Sequence, residues 1–260
     1  MRITVLGGCG AWPSAGLACS GFLVEHEGFR LVVDLGYAAL PRLLEHTAPH
    51  GVDAVLISHG HPDHCADLNP LLRARALDDD PPPALPVFAP PRALDAVLAL
   101  DRPGMLDASY LLHEFTPGAR FEIGPFEAAT RLLPHWVPNA GIRLTAGGQH
   151  LAYTGDTGPC PDITDLARDA DVLIAEATYA EEVPEHSAQY LSSARQAGQY
   201  AAQAQVGRLL LTHLWPGSDP HASVDAARRA YEGGITVADS GLVIDLHRDI
   251  QVHRHAEQDR

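Results

Sequence analysis

Ser58-His59-Gly60-His61-Pro62-Asp63-His64-Cys65 places three imidazoles and one carboxylate within six positions, and its reading decides the fold. One ion does not need that much ligating capacity from one loop, so the run points to two ions side by side. Chance would produce this spacing in a chain of this composition with a probability of roughly 0.004. In an extended segment His59 and His61 project to the same side, because side chains repeat every second residue. Asp63 and His64 follow a turn at Pro62 and can face a second ion. The competing reading is a His-rich helix N-terminus capped by Asp63. Cys65 stands beside the run and reads as a small buried hydrophobe rather than as a ligand.

Outward from the run, four apolar segments each end in a ligand-type residue. Residues 54–58 lead to His59, 130–134 to His135, 151–155 to Asp156 and 208–212 to His213. Loops at the carboxyl ends of strands are where α/β sheets build sites. Taken singly, His135 and His213 read equally well as surface imidazoles, and Asp156 as a turn residue. One shared site is more economical than four coincidences. A carboxylate has two oxygens, so Asp156 can bridge. His59, His61 and His135 then complete one group, and Asp63, His64 and His213 the other. Imidazole and carboxylate ligands without thiolate suit two zinc ions, with manganese or iron as alternatives. Two such ions hold a water and lower its pKa to roughly 7, so that hydroxide forms at neutral pH and attacks a phosphorus or carbonyl centre. Asp63 and Asp156 are therefore the candidate catalytic carboxylates.

Composition narrows the partners. The formal net charge is −15, and all 18 basic residues are arginine. Without lysine there is no P-loop lysine, Schiff base or lysine general base. The acidity argues against a large nucleic acid, since phosphate binding rests on basic surface, and favours a small-molecule substrate. No apolar stretch is long enough to span a bilayer. The N-terminus reads as a first strand rather than an export signal, so a cytoplasmic location is expected. The four cysteines form no C-x-x-C pair and fit a reducing compartment.

Val-, Ile- and Leu-rich runs predict strands at 3–6, 21–25, 30–34, 54–57, 86–88, 128–133, 142–145, 150–153, 172–175, 209–212 and 242–246. Helices are expected at 38–45, 65–77, 91–100, 163–170, 187–205 and 223–232. This order predicts an α/β, four-layer αββα sandwich: one domain over residues 1–247 and a polar tail at 248–260. His253 and His255 in that tail read as a frayed terminus. Asp34 and Glu176 also end strands and are expected to support the ligands from behind.

With these residues in place, the chain resembles the metallo-β-lactamase superfamily. The resemblance rests on Leu6-Gly7-Gly8-Cys9-Gly10, Val32-Val33-Asp34-Leu35-Gly36, the 58–64 run, His135, Thr154-Gly155-Asp156-Thr157 and Leu211-Thr212-His213. The first loop and Glu176-Ala177-Thr178-Tyr179 are most similar to the ribonuclease Z-like branch, in particular its short bacterial metal-hydrolase members. The resemblance implies a dinuclear zinc hydrolase, often dimeric. Departures matter as much. Ribonuclease Z carries a long transfer-RNA-binding arm between its third His and the bridging Asp, and that interval is short here. The family's His-Ser-Thr motif reads Leu191-Ser192-Ser193, so the expected proton donor is Leu191; His186 and His221 are the candidate replacements. Both departures, with the acidic charge, argue against transfer-RNA processing. A redox di-iron member would carry Glu at His61, and the best-known β-lactamases of this fold carry Cys at Asp156.

Trp12, Trp136 and Trp215 all flank site loops and are expected to line a pocket for an aromatic or apolar group, such as a nucleobase or acyl chain; sheet-end caps are the alternative. The functional expectation is a small-phosphodiester hydrolase, with a lactone, ester or thioester hydrolase second and a catalytically silent metal-binding protein third.

Overall fold

A computed structural model describes residues 1–246. Residue 247 and the 248–260 tail, with His253 and His255, lie outside the described residues. Among the described residues, fourteen strands form two seven-stranded sheets. The first contains β1 (Arg2–Gly7), β2 (Gly21–His26), β3 (Phe29–Leu35), β4 (Ala54–Leu56), β5 (Leu85–Ala89) and β6 (Tyr110–Glu114). The second contains β7 (Arg120–Ile123), β8 (Phe126–Leu133), β9 (Asn139–Ala146), β10 (Gln149–Tyr153), β11 (Val172–Glu176), β12 (Arg208–Thr212) and β13 (Gly234–Val237). The last strand, β14 (Val243–Asp245), returns to pair antiparallel with β1. Both sheets follow one plan: an antiparallel meander, β1-β2-β3 or β7-β8-β9-β10, runs into parallel strands.

The period of two in a strand explains the layering. Val33 faces the sheet-to-sheet core with Ile3, Phe22, Ile142 and Ile174. Its neighbour Val32 faces outward, against Leu40, Leu68 and Leu72. Those three stand on or near α1 (Ala39–Leu43), α2 (Pro62–Cys65) and α3 (Leu68–Ala76), followed along the chain by α4 (Asp95–Leu98). On the second sheet Leu173, Leu209 and Leu211 pack under α5 (Pro161–Ala167), α6 (Ala194–Gln203) and α7 (Pro220–Arg228) through a layer rich in alanine. Gly198 of α6 lies so close to α7 that a Cβ there would sit 2.4 Å from Ala227 O. Each fully buried Leu or Ile contributes about 1.5–3 kcal/mol. The result is the expected αββα sandwich. Among the described residues no helix is long and apolar enough to cross a membrane.

The helices depart from the sequence expectation for identifiable reasons. The expected helix 65–77 is broken between α2 and α3, because Pro70 has no N–H to give and its ring crowds the carbonyl four residues earlier. The expected helix 187–205 starts only at Ala194. Ser193 and Gln196 form a reciprocal capping box there, and residues before it run as turns. The expected helix 223–232 begins earlier, at Pro220, where the Asp219 side chain accepts from His221 N at 2.9 Å. Strands β6, β7 and β13 lie outside the sequence expectation; all three are sheet edges.

A candidate two-ion metal centre

All four ligand-bearing loops emerge on one rim of the sandwich. His59 follows β4, His135 follows β8, Asp156 follows β10 and His213 follows β12, while Asp63 and His64 lie in α2. Two groups result, with ligand atoms inside each within 4.8 Å of one another: His59, His61, His135 and Asp156, and Asp63, His64, Asp156 and His213. In the first, His61 Nδ1 lies 3.2 Å from His59 Nε2 and 3.0 Å from His135 Nε2. Asp156 Oδ2 lies 3.8 Å from both of those Nε2 atoms. In the second, His213 Nε2 is 3.1 Å from Asp63 Oδ2 and from Asp156 Oδ2, and His64 Nε2 is 3.3 Å from Asp156 Oδ1. Ligands held tetrahedrally at about 2.0–2.1 Å from one ion sit about 3.3–3.4 Å apart, so this spacing suits cations.

Proton positions follow from the outer hydrogen bonds. Ser58 Oγ donates to Asp34 Oδ2 at 2.7 Å, so it accepts from His59 Nδ1 at 3.0 Å. Asp34 Oδ2 accepts from His64 Nδ1 at 2.7 Å. Thr178 Oγ1 donates to Glu176 Oε2 at 2.6 Å and so accepts from His213 Nδ1 at 2.9 Å. His135 Nδ1 donates to Tyr190 O at 2.9 Å. With each Nδ1 committed, the Nε2 atoms of His59 and His135 are left free to face the first group and those of His64 and His213 the second, as ligating imidazoles require. His64 Nε2 and Asp156 Oδ1 are buried, not aligned with each other, and satisfied by no hydrogen bond. Orphaned atoms of opposite ligand type at the centre are what a cation would satisfy, so the residues present fit a pair of divalent metals.

Asp34 is wholly buried and supports both groups. Besides Ser58 Oγ and His64, it takes Ser58 N at 2.7 Å and Tyr153 OH at 2.7 Å. Tyr153 belongs to the opposite sheet. Electrostatics separate the imidazoles. Burial pushes His59, His61 and His135 below their ordinary range. Burial also opposes charge on His64 and His213, but Asp156 and Asp63 outweigh it and raise both. Burial pushes the two carboxyls of Asp63 and Asp156 upward, yet the neighbouring His64 and His213 hold them well below the usual range. Burial, and then Asp156, push Glu176 up to about 8. Burial raises the Cys65 thiol to about 12, and it donates to His61 O at 3.2 Å; it turns away from the ligands.

Close packing fixes the loops. A Cβ at Gly36 would fall 1.8 Å from Asp63 O, one at Gly10 2.8 Å from His213 Nδ1, and one at Gly60 2.5 Å from Ala93 O. His213 itself sits at φ 57°, a left-handed conformation that costs a non-glycine residue about 1–2 kcal/mol.

The chain's likeness to known proteins agrees with this geometry. The model of the beta-lactamase superfamily domain matches residues 29–214, the segment that carries every one of these ligand positions. The chain belongs to the beta-lactamase superfamily. Within it, the chain is 30% identical over 255 residues to a probable metallo-hydrolase, YhfI of Bacillus subtilis, covering 94% of this chain and 99% of that one. The crystal structure of that metallo-beta-lactamase fold protein superposes with a TM-score of 0.85 at 29% identity, covering 94% and 98% of the two chains. A ribonuclease Z of Haloferax volcanii is 27% identical over 302 residues, with 95% of each chain covered. The short form of human tRNase Z has the same fold, with a TM-score of 0.75 at 22% identity over 95% of this chain and 99% of that one. The chain is thus a metallo-hydrolase of the beta-lactamase superfamily. Between His135 and Asp156 it has only β9, β10 and their Gly147-Gly148 turn.

Other expected site residues fall in different places. Trp12 and Trp215 meet edge to face at 5.0 Å, and Tyr179 stacks on Trp215 at 6.2 Å. Trp136 stands apart from them, against His135 at 5.1 Å and Tyr190 at 5.0 Å. The three tryptophans therefore form two groups rather than one lining. His186 and His221 are exposed, and none of the described interactions joins either to the seven ligand-type residues. Leu191 is buried next to Tyr190, whose carbonyl holds His135. Sequence reasoning missed Ser58, Thr178, Tyr153 and Tyr190. The spacing Glu176-x-Thr178 was a usable signal for one; a backbone carbonyl leaves none.

Proposed function

We propose that this chain is a dinuclear metal-dependent hydrolase acting on a small phosphodiester, such as a cyclic nucleotide. The observation that carries the reading is the shared carboxylate. Asp156 Oδ1 faces His64, while Oδ2 faces His213 as well as His59 and His135, so this one carboxylate stands between the two groups. His59, His61, His135 and Asp156 would hold one ion and Asp63, His64, Asp156 and His213 the other, with zinc the metal that an N,O donor set without thiolate suits best. When bound, the pair supplies Lewis acidity that turns water into a nucleophile near neutral pH and offsets charge developing on the substrate. Asp34 and Glu176 aim the imidazoles through Ser58, His64 Nδ1 and Thr178. Asp63 and Asp156 offset half the charge of two divalent ions, so the centre keeps an excess of positive charge that suits an anionic diester better than a neutral lactone. The likeness to ribonuclease Z supports diester chemistry, while the net charge of −15 supports a small substrate over a large nucleic acid. His186, exposed on the loop before α6, is the candidate proton donor in place of Leu191.

A lactone, ester or thioester hydrolase is the second reading, supported by the apolar surroundings of Trp215. Zinc- and manganese-loaded protein assayed on bis-nitrophenyl phosphate, cyclic nucleotides and a lactone panel separates the two. Asp156→Ala and His61→Ala are expected to abolish turnover; retained activity in either, or about one metal per chain, overturns the two-ion reading. His186→Ala is expected to slow diesters with alkoxide leaving groups far more than those with nitrophenolate.

A further inference from the structure

Behind the strand end that carries His213 lies a cavity of about 310 Å³ that shares none of the seven ligand-type residues. Its walls are mostly apolar, with Leu17, Leu214, Trp215 and Val237 among them, and Asp239 stands on its lining. The volume is at the low end for organic-ligand pockets, which suits a one- or two-ring group rather than a long chain. Trp215 is packed edge to face against Trp12 and stacked on Tyr179. None of the described hydrogen bonds or ion pairs engages the Asp239 carboxylate. The cavity is close to the centre along two chain segments. Leu214 and Trp215 directly follow His213, and Cys9 precedes Gly10, which abuts the His213 ring. Trp215 is two residues beyond His213, so their Cα atoms lie at most about 7 Å apart.

We propose that this cavity is the subsite for an amino-bearing nucleobase, with the base packed against Trp215 and its exocyclic N–H₂ donating to Asp239. The proposal rests on the phosphodiester reading and deepens it: the substrate is a nucleotide diester whose phosphate lies at the His/Asp centre and whose base lies here. A carboxylate accepts and never donates, so adenine is preferred to hypoxanthine, which turns a carbonyl oxygen toward Asp239. An acyl chain offers Asp239 no donor, so a ring that carries an amino group is the better match for this lining.

The test uses the intact protein and two variants at exposed positions, Asp239→Ala and Ser218→Phe, the latter plugging the cavity from its lining. With cyclic AMP and cyclic IMP as probes, the wild-type protein is expected to favour the adenine nucleotide by about tenfold in kcat/KM, a preference that collapses toward unity in Asp239→Ala. Ser218→Phe is expected to raise KM for both nucleotides while leaving kcat on methyl nitrophenyl phosphate, too small to fill the cavity, unchanged. An unchanged preference in Asp239→Ala, or unchanged KM in Ser218→Phe, overturns the subsite. If no diester is hydrolysed, the function reading fails separately. The subsite is then read by titrating uncharged adenosine and inosine against tryptophan fluorescence, where adenosine binding that Ser218→Phe removes supports it and no adenosine binding refutes it.

Discussion

Asp34→Asn keeps the shape of a side chain on which much of the centre hangs and removes only its charge and one acceptor. Asparagine also tolerates the φ of 54° found at this position. Asp34 Oδ2 receives Ser58 Oγ, His64 Nδ1 and Tyr153 OH, and Oδ1 receives Ser58 N. In the variant the best orientation keeps the amide oxygen among the three donors and turns NH₂ toward Ser58 N–H. That buried N–H then loses its acceptor, at about 1–3 kcal/mol. The three remaining bonds lose charge assistance, about 1 kcal/mol each. The sum is about 4–6 kcal/mol, comparable to the lower end of domain stabilities, and relief of the buried carboxylate's desolvation reduces it. Urea denaturation of chelator-treated protein isolates this effect from metal loss. With an m-value of about 3 kcal/mol/M, the midpoint should fall by about 1–2 M. Metal affinity of the folded variant should fall about 10–100-fold, because His64 and His59 are no longer held in place. A variant with the wild-type midpoint and metal affinity would show that Asp34 does not organise the centre.

Further tests address other parts of the rim. Raised imidazole pKa values mean that His64 and His213 keep their protons to higher pH than His59, His61 and His135 do, so protons compete hardest with the ion of the second group. Metal content after dialysis at stepwise lower pH should therefore fall from two to one before it reaches zero, and a single two-ion step would refute the ordering. Gly36→Ala should displace the Asp63 backbone, destabilising the protein by at least about 1–3 kcal/mol and removing one metal per chain, measurable by thermal melting and elemental analysis. Trp136→Ala should raise KM for aromatic diesters about 5- to 100-fold if the ring stacks on substrate, and unchanged KM would assign it to packing.

The ligand loops were legible because they combine two strong signals, apolar strands of regular period and polar residues that a buried strand end has no other use for. His59, His135, Asp156 and His213 each meet that description. The missed strands β6, β7 and β13 are edges, with one neighbour and partly exposed faces, so the inside-outside alternation that marks a strand is weak there. Helix α6 begins at Ala194 rather than at 187 because the Ser193–Gln196 pair decides where its first backbone donors are satisfied. The supporting groups were half visible. Asp34 and Glu176 could be suspected from their place at strand ends, whereas Ser58, Thr178 and Tyr153 look ordinary in sequence and gain meaning only from distances across two sheets.

The glycines at 10, 36 and 60 press the ligand loops against neighbouring atoms, leaving no room even for a methyl group. Variation that reaches these positions is lethal to the geometry, so the chemistry and the choice of substrate sit on separately evolvable parts. Residues 12–17, 136–138 and 215–220 form the adjustable margin, several of them exposed and free of ligand duty. A directed-evolution library confined to those three loops should shift substrate range while leaving metal stoichiometry untouched, and a library that includes the glycines should return mostly inactive clones.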